Sequence, residues 1–456
     1  MSVGSERRTL SFSGLAADHE LPILELHADT DYSIAVTVTD EEGRSAVEEL
    51  SLVTRSLPER FPLFELLVHV PDAMAPGYTI ADLKTGEPAE QFVAIFDPDF
   101  EPVWIWKSTD IVTDSRVTED GHLFLLHDGD ITEVDLLGND LGKWDDAPRY
   151  MHHEFFPMPG GGAVTLGADK VTVPFFPLNY ERPEELRTDV EVSDSEVVVL
   201  DADGQVNTVW PILEIADPMR VAFDSQNNTS NGVDWVHANG VIPDPSDGGF
   251  LISLRHQDCV VKVDSDGDLV WILGNHYGWS PAFTPYLLEP VGDLLWPWHP
   301  HAPMIAADGT VALMDNGNFG HTPYDDEIVD PLDWYSRAVG YRVDSEAMTV
   351  EQLWEVEAST GPIFSGGLGD ADLLDNGNVL MVLGWILMED GLENADHGRG
   401  LRSSRLVEKD PFGEYALDLR IWGTLEDHPK GWKVYRADRF SSLYRVDQRP
   451  SIRVDL

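Results

Sequence analysis

DWVHANGVIPDPSDGGFLISLRHQDCVVKVDSDGDLVWILG, residues Asp234–Gly274, is the stretch that decides the fold. It contains two short apolar runs, Phe250–Leu254 and Val260–Asp264, then an Asp-Gly pair at Asp266-Gly267 and a last run that ends on Trp271. An Asp-Gly pair between apolar runs is the strongest short-range signal for a hairpin. Together with the segment that precedes them, these runs predict one four-stranded antiparallel sheet.

The closing half of this unit recurs along the chain as an apolar run, an Asp, a turn and a second apolar run with Trp. Six copies close on Trp106, Trp144, Trp210, Trp271, Trp354 and Trp422. Their irregular spacing excludes a strict solenoid and suits sheets that carry loops of different length. Six repeats of a unit too small to bury its own face predict an all-β fold, a six-bladed β-propeller. A large array of β-sandwiches is the alternative.

Residues 1–57 differ from the rest, because two runs of alternating apolar and polar residues flank an acidic turn. Leu26, Thr30 and Tyr32 resemble the tyrosine-corner pattern of fibronectin-like sandwiches. We therefore expect a small fibronectin/Ig-like β-sandwich at 1–57 and the propeller at 58–456, with one early strand able to pair with the last blade.

The chain carries 82 acidic and 30 basic residues, for a formal net charge of −52. Excess carboxylate keeps a surface hydrated at high salt, which predicts a halophilic, haloarchaeal source. The same charge argues against nucleic acid or an anionic membrane as a partner. Without an apolar signal segment or a membrane-length run, the chain as written predicts a cytoplasmic protein with no membrane insertion. The oligomeric state is left open.

Three histidines hold the same place in three repeats, at the start of the predicted innermost strand: His153, His237 and His301. Strands that line a propeller axis bring such positions together. Convergent His side chains can bind an anion, transfer protons or ligate a metal, although a structural role is the alternative. The short local spacing of zinc motifs is missing, so no metal is predicted. The pair Tyr435-Arg436 and the segment at Arg255-His256 are expected near the same channel.

At these residues the sequence resembles the arylsulfate sulfotransferase family. The motifs that carry the resemblance are H-x-N at His237–Asn239, SLRHQD at Ser253–Asp258, WPWHPHA at Trp296–Ala302, DNG at Asp315–Gly317, YSRAVGYRVD at Tyr335–Asp344 and YRA at Tyr435–Ala437. The resemblance implies a six-bladed propeller that moves a sulfuryl group from a phenolic sulfate ester to another phenol, with no cofactor. It also implies a protein that is typically exported.

Carried over by position, the resemblance makes His237 and His301 catalytic, holding the sulfuryl oxygens and assisting proton transfer. The expected substrate-binding residues are Asn239, His153, Arg255, His256, His321, Tyr435 and Arg436. The sequence departs from the family pattern in two places. The family's sulfated His precedes the YRA motif, where this chain has Val434, and the family's Arg after DNG is replaced by Phe319, Gly320 and His321.

Three interpretations follow. In the first, this is a divergent sulfotransferase in which His153 or His321 replaces the missing nucleophile, or in which transfer is direct. In the second, the reaction has changed, for example to metal-assisted ester hydrolysis. In the third, the protein is a binding or scaffold propeller that keeps the funnel and not the reaction.

Overall fold

The computed structural model describes residues 7–12, 14–85, 91–118, 121–127, 129–144, 150–389, 392–393, 400–424, 426, 430–444 and 451–455. These residues form an almost entirely β protein. The helices among them are one turn of α-helix, Ile212–Ile215, and four 3₁₀ turns at Pro71–Ala73, Arg255–Gln257, Thr284–Tyr286 and Pro331–Asp333. None of them is long and apolar enough to span a membrane.

The N-terminal segment contributes three strands. Strand β1 (Arg7–Ser11) pairs with the last strand of the chain, while β2 (Asp31–Thr39) and β3 (Ser45–Val53) form a separate hairpin. The hydroxyl of Tyr32 accepts a 2.9 Å hydrogen bond from the backbone N–H of His27, as in a tyrosine corner. The hairpin leaves nearly all of its side chains partly or fully exposed, and no second sheet covers it within the described residues. The predicted sandwich is therefore not confirmed.

The remaining strands form six sheets, which are antiparallel apart from one short parallel pair in each of two sheets. Sheet 1 contains β5 (Tyr78–Lys84), β6 (Gln91–Phe96) and β7 (Pro102–Ser108), and sheet 2 contains β8 (Val112–Val117), β9 (His122–His127), β10 (Asp130–Asp135) and β11 (Asp140–Trp144). Sheet 3 contains β12 (Tyr150–Pro157), β13 (Ala163–Pro177), β14 (Leu186–Leu200) and β15 (Val206–Pro211), with two short strands, β16 (Asn228–Thr229) and β17 (Gly232–Val233), at its edge.

Sheet 4 contains β18 (Ala238–Pro243), β19 (Phe250–Leu254), β20 (Cys259–Val263) and β21 (Leu269–Gly274). Sheet 5 contains β22 (Glu289–Pro290), β23 (His301–Ile305), β24 (Val311–Asp315), β25 (Arg337–Asp344) and β26 (Thr349–Val356). Sheet 6 contains β27 (Asp370–Leu373), β28 (Val379–Glu389), β29 (Leu392–Glu393), β30 (Leu401–Lys409) and β31 (Tyr415–Trp422).

Three pairings join the two ends of the chain. Strand β32 (Lys433–Phe440) becomes the first strand of sheet 1 by pairing with β5. Strand β4 (Leu63–His69) adds to β31 at the outer edge of sheet 6, which agrees with the expected pairing of an early strand with the last repeat. Strand β33 (Ser451–Asp455) pairs with β1.

The first strands of the six sheets contact one another in sequence. Strand β8 contacts β12, and the series continues through β18, β23, β27 and β32, which contacts β8 again. The six repeat tryptophans all lie in the fourth strand of their sheets, β7, β11, β15, β21, β26 and β31. The sequence repeat therefore corresponds to one sheet, with its Trp on the fourth strand counted from the shared centre.

The core lies between consecutive sheets, because each sheet is too small to bury its own apolar faces. Six clusters of buried apolar side chains occur among the described residues, and each contains members of two neighbouring sheets. Val261 of sheet 4, for example, packs in the same cluster as Val197 of sheet 3. Cys259 lies fully buried there, and burial raises the pKa of its thiol to about 12, as suits a structural residue.

Asp194 of β14 is a buried carboxyl that we expect to limit stability at high pH. It lies directly opposite Asp169 of β13 and accepts a 3.1 Å hydrogen bond from the backbone N–H of Leu213. Burial, reinforced by the neighbouring carboxylates of Glu196 and Asp169, raises its pKa to about 8. The folded state therefore holds a proton that the unfolded chain releases, and stability falls as pH rises from about 4 to about 8.

Asp194→Asn keeps the acceptor oxygen and removes the ionisation. The variant is expected to exceed the wild type in unfolding free energy by on the order of 2 kcal/mol at pH 8 and to match it near pH 4. Urea denaturation at the two pH values measures this difference. A gap that is the same at both would contradict the assigned role of the carboxyl.

Candidate active site

The candidate site lies where the first strands meet, and those strands share a local irregularity. Five of the six carry a β-bulge, at Val112/Asp114, His152/Phe155, Ala238/Gly240, His301/Met304 and Val434/Ala437. A bulge leaves a residue out of the ladder and redirects its side chain, and bulges are common beside functional sites. The repeated bulge therefore presents polar side chains at the centre from sheets that otherwise pack apolar ones.

The histidines predicted to converge do so. The ring of His153 lies 5.0 Å from that of His237 and 5.8 Å from that of Tyr435, and the ring of His301 lies 6.2 Å from Tyr435. His256 stacks on His237 with 4.7 Å between ring centroids. His153 and His237 both have a left-handed backbone, with φ of 67° and 44°, a conformation unusual for such residues. We call His152, His153, His237, His256, His299 and His301 the His cluster.

His237 is oriented by a carboxylate. Its Nδ1 lies 2.6 Å from Oδ2 of Asp234, and 31% of its side chain is exposed. Burial opposes ionisation of Asp234, but the hydrogen bond from His237 and the electrostatic attraction of the surrounding imidazoles together outweigh it and hold the pKa of the carboxyl below its usual value. An ionised Asp234 fixes the proton of His237 on Nδ1 and leaves a lone pair on Nε2. Nε2 makes no hydrogen bond to any described residue.

Most other members of the His cluster are held neutral. Burial is the main cause, lowering the pKa of His152 to about 4 and the pKa of His153, His256 and His301 well below the ordinary value. Neighbouring groups add to it, since His152 lowers the pKa of His153 and Arg255 lowers that of His301. These four rings are therefore uncharged at neutral pH.

Several of these rings already use their nitrogens. His152 contacts His153 at 2.5 Å between Nδ1 atoms and reaches the carbonyl of Gly167 at 3.1 Å through Nε2. His301 donates from Nδ1 to the carbonyl oxygen of His299, 3.3 Å away, and the residue is only 2% exposed. These rings are fixed by their neighbours.

Arg255 supplies a cation beside the His cluster. Its Nη1 lies 3.7 Å from Oδ2 of Asp224, which also receives Nε2 of His299 at 3.2 Å. The other nitrogen of His299 bonds to Asp258 at 2.8 Å, so the ring is fixed between two carboxylates. The Arg255 side chain remains 15% exposed, and Arg255 directly precedes His256 in the 3₁₀ turn Arg255–Gln257. Its charge lowers the pKa of His301.

Two predicted binding residues lie in a deeper layer. Asn239 is fully buried and donates a 3.0 Å hydrogen bond to the carbonyl of Pro300, so it positions the segment that carries His301. Arg436 is 4% exposed and pairs with Glu154, with Asp114 at 3.8 Å and with Asp370 at 3.6 Å. Asn239 and Arg436 therefore stabilise the layer beneath the His cluster. The expectation that they contact substrate remains a prediction.

His321 lies in an aromatic layer beside the cluster. Its Nδ1 is 2.6 Å from the carbonyl oxygen of Phe319 and its ring packs edge-on against Phe223 at 5.2 Å. Phe319 stacks on Phe223 at 4.3 Å and reaches His299 at 5.3 Å. It has a left-handed φ of 67°, which is strained for a bulky residue. Aromatic rings therefore stand where the resemblance expects an Arg.

The position that the resemblance gives to the sulfated His lies in the core. Val434 is fully buried and belongs to an apolar cluster with Leu83, Leu406 and Trp432. Its side chain has no access to the His cluster, whereas the bulge that follows turns Tyr435 inward.

One group among the described residues has the spacing of a metal site: Asp234, His237 and His256, whose ligand atoms lie within 4.8 Å of one another. The 2.6 Å between His237 Nδ1 and Asp234 Oδ2 is a hydrogen-bond length. Two ligands of one tetrahedral zinc ion, with bonds near 2.0–2.1 Å, stand about 3.3 Å apart. The present geometry therefore favours a shared proton at this pair.

Sequence reasoning missed four participants: Asp234, His152, His299 and Lys84. The first three adjoin histidines that were predicted, since Asp234 stands three residues before His237 and the other two neighbour His153 and His301. That proximity is a usable signal for a carboxylate–imidazole pair. Lys84 comes from an early strand, and nothing local in the sequence marks it.

Two known proteins are similar to this chain in sequence. Arylsulfate sulfotransferase AssT of Escherichia coli O6:H1 strain CFT073 is 26% identical over 334 residues, 59% of this chain and 53% of that protein. AssT of Lelliottia amnigena is 25% identical over 230 residues, 40% of this chain and 38% of that protein. The chain thus spans about half the length, or less, of these relatives. Neither supports the haloarchaeal origin.

Among solved structures, a protein of unknown function from Bacteroides caccae is similar over 79% of this chain and all of its own, with 13% identity and a TM-score of 0.45, too low to support an argument. The sequence family described as Arylsulfotransferase (ASST) matches residues 36–412, which is most of the chain. With its motifs and its cluster of convergent histidines, the chain belongs to the arylsulfotransferase family.

Proposed function

We propose that this protein is a six-bladed β-propeller that transfers a sulfuryl group from a phenolic sulfate ester to an acceptor phenol, at the His cluster on the propeller axis. The architecture is supported by the six sheets and by first-strand contacts that return to β8. In this proposal residues 58–456 form the propeller and 1–57 a separate N-terminal unit. The activity is supported by the family match and by its AssT relatives.

The observation that carries the proposal is the Asp234–His237 pair with its unbonded Nε2. A nucleophile needs an available lone pair, access to substrate and a group that orients it. His237 has all three, whereas His152 and His299 use both nitrogens and His301 is nearly inaccessible. We assign His237 as the residue that accepts the sulfuryl group, in place of the position at Val434.

The reaction then has two displacement steps. His237 Nε2 attacks the sulfur, an N–S bond forms and the bond from sulfur to the phenolic oxygen breaks, releasing a phenolate that is protonated by water. The acceptor phenol next attacks the same sulfur, the N–S bond breaks and the phenolic proton leaves to solvent. Asp234 stabilises the positive charge that the imidazole gains during the first step.

Arg255 and the neutral imidazoles form the environment of the sulfuryl oxygens. Arg255 lies beside His256 and His301 and offers a charge to the oxygens as the sulfur is transferred. His153 and His301, kept uncharged by burial, line the site without adding a competing charge. Burial makes each of these interactions stronger than it would be in water.

Release of 4-nitrophenol from 4-nitrophenyl sulfate, with and without phenol, tests the proposal. Phenol-dependent release, with phenyl sulfate as the second product, is the expected result. Release that does not depend on phenol and that stops when a chelator is added would instead support metal-assisted hydrolysis, the second candidate, with Asp234, His237 and His256 as the group of possible ligands. No release from folded protein, under either condition, would refute the enzyme and leave a binding or scaffold protein.

A further inference from the structure

A cluster of cations borders the His cluster on the side of sheets 1 and 6. Lys84 of β5 and Lys433 of β32 are directly opposite each other in the antiparallel register. Like charges in this relation destabilise a strand pair. The chain has eight lysines against 82 acidic residues, so two of them facing each other at the centre of the fold call for a compensating anion.

The third cation is Arg402 of β30, and an aromatic ring links it to Lys433. The guanidinium of Arg402 lies 5.0 Å from the ring centre of Trp385 and the ammonium of Lys433 lies 4.9 Å from the same ring. Within the described part of the chain, neither of these two cations forms an ion pair with a carboxylate. Lys84 has one such partner, Asp82, at 2.9 Å.

These charges lie close enough to affect one another. Burial, with Lys84 and Arg402 as the next causes, lowers the pKa of Lys433 to about 8. A bound anion would remove this repulsion, whereas the surrounding carboxylates do not. Three cations that share one carboxylate within the described residues form a site with excess positive charge in a strongly negative protein.

The cluster also adjoins the reaction centre. The ammonium of Lys84 lies 4.5 Å from the centre of the Tyr435 ring, and the rings of His153 and His301 lie 5.8 Å and 6.2 Å from the same ring. Tyr435 is therefore a shared neighbour of Lys84 and of two imidazoles. A benzene ring held with its sulfate at His237 can extend past Tyr435 toward the lysines.

We propose that Lys84, Lys433 and Arg402 form an oxyanion subsite that binds a second acidic substituent of the aryl substrate. The inference rests on the proposed function and specifies its substrate class: aryl sulfates that carry a carboxylate or a second sulfate on the ring. Ammonium and guanidinium groups are suited to such oxyanions through charge-assisted hydrogen bonds.

Binding of two unreactive aryl anions tests the subsite independently of turnover. In calorimetric titration at 0.1 M KCl, 4-sulfobenzoate, a dianion, is expected to bind about tenfold more tightly than benzenesulfonate, a monoanion. The net charge of −52 acts in the opposite direction, because it repels a dianion more strongly. A preference for the dianion thus reports a local cation site.

Lys433→Met is expected to reduce the preference to within about twofold while leaving benzenesulfonate affinity unchanged. The matched control is Lys409→Met. Lys409 also lies over an aromatic ring, 4.9 Å from the centre of Tyr415, but in a different part of sheet 6 from Arg402. Equal loss for both ligands in Lys433→Met would overturn the inference, because the cations would then hold the common sulfonate. Wild-type protein without a dianion preference would overturn it as well.

Turnover separates this inference from the proposed function. With 4-sulfooxybenzoate and 4-nitrophenyl sulfate as donors, the same tenfold preference is expected in kcat/KM of the wild type and is lost in Lys433→Met. If neither donor reacts and the dianion preference in binding persists, the sulfuryl transfer is refuted and the subsite stands.

Discussion

Replacing His237 with Ala is expected to lower kcat for phenol-dependent sulfuryl transfer by at least about 10³-fold while leaving the protein folded. The substitution removes the only ring in the His cluster that combines an oriented carboxylate with an accessible, unbonded Nε2. Direct transfer between the two phenols would remain as a slow residual reaction. Steady-state kinetics with 4-nitrophenyl sulfate measures the loss, and the thermal midpoint checks the fold.

Two further variants set the scale of this effect. Asp234→Asn keeps the shape of the pair and removes its charge, so a smaller loss of about 10–100-fold is expected. His69→Ala is the matched control, because that ring bonds to the carbonyl of Pro98 far along the chain from the site and should leave kcat unchanged. A His237→Ala enzyme that keeps more than a tenth of wild-type kcat would contradict the assignment of the nucleophile.

Arg436→Met is expected to give the largest loss of stability, about 3–5 kcal/mol. Arg436 is buried among three carboxyl groups, Glu154, Asp114 and Asp370. When it is removed, Arg116 remains, within the described residues, as an ion-pair partner of Asp114 and Glu154. Burial raises the pKa of Glu154 to about 7, so these carboxyls can take up protons at moderate pH. The loss should therefore be greater at pH 8 than at pH 5.

Urea denaturation at both pH values measures the Arg436 variant. The matched control is Arg342→Met, because Arg342 forms an exposed ion pair with Glu351 at 2.8 Å and should cost at most about 1 kcal/mol. Addition of Glu154→Gln to the Arg436 variant should recover part of the loss by removing a stranded charge. A loss of less than 1 kcal/mol would show that the ion cluster is not integral to the centre of the fold.

The repeat predicted most of the sheet organisation, for a physical reason. A unit of four short strands cannot bury its faces alone, so apolar runs and Trp recur wherever a sheet must pack against the next one. Trp210 and Trp271 mark the last strands of sheets 3 and 4 as expected. The contribution of β32 to sheet 1 could be foreseen only in outline, because it depends on a contact between strands more than 340 residues apart.

The N-terminal hairpin shows the opposite case. Alternation in β2 and β3 predicted the strands correctly, and Tyr32 makes the expected backbone hydrogen bond. Alternation indicates that one face of a strand is to be covered and does not say what covers it. The step from two strands to a sandwich therefore had no local support.

At the site, equivalence of repeats predicted that His153, His237 and His301 would converge. What the repeat could not predict was which nitrogen is free, since this depends on hydrogen bonds such as His237 with Asp234 and His301 with the carbonyl of His299. It also could not place Lys84, which reaches the site through strand pairing. The sequence showed which chemical groups are present at the site, but it did not show how they are arranged or which of their nitrogens are free.

The most direct test of the account is to find the sulfuryl group on the protein. Protein mixed with 4-nitrophenyl sulfate in the absence of acceptor, quenched within one turnover and digested, should contain a peptide whose mass is raised by one sulfuryl group. Fragmentation should place the group on His237, and addition of phenol before the quench should remove it. A sulfuryl group on His153 or on any other residue, or burst-free turnover with no labelled peptide at all, would contradict the central claim.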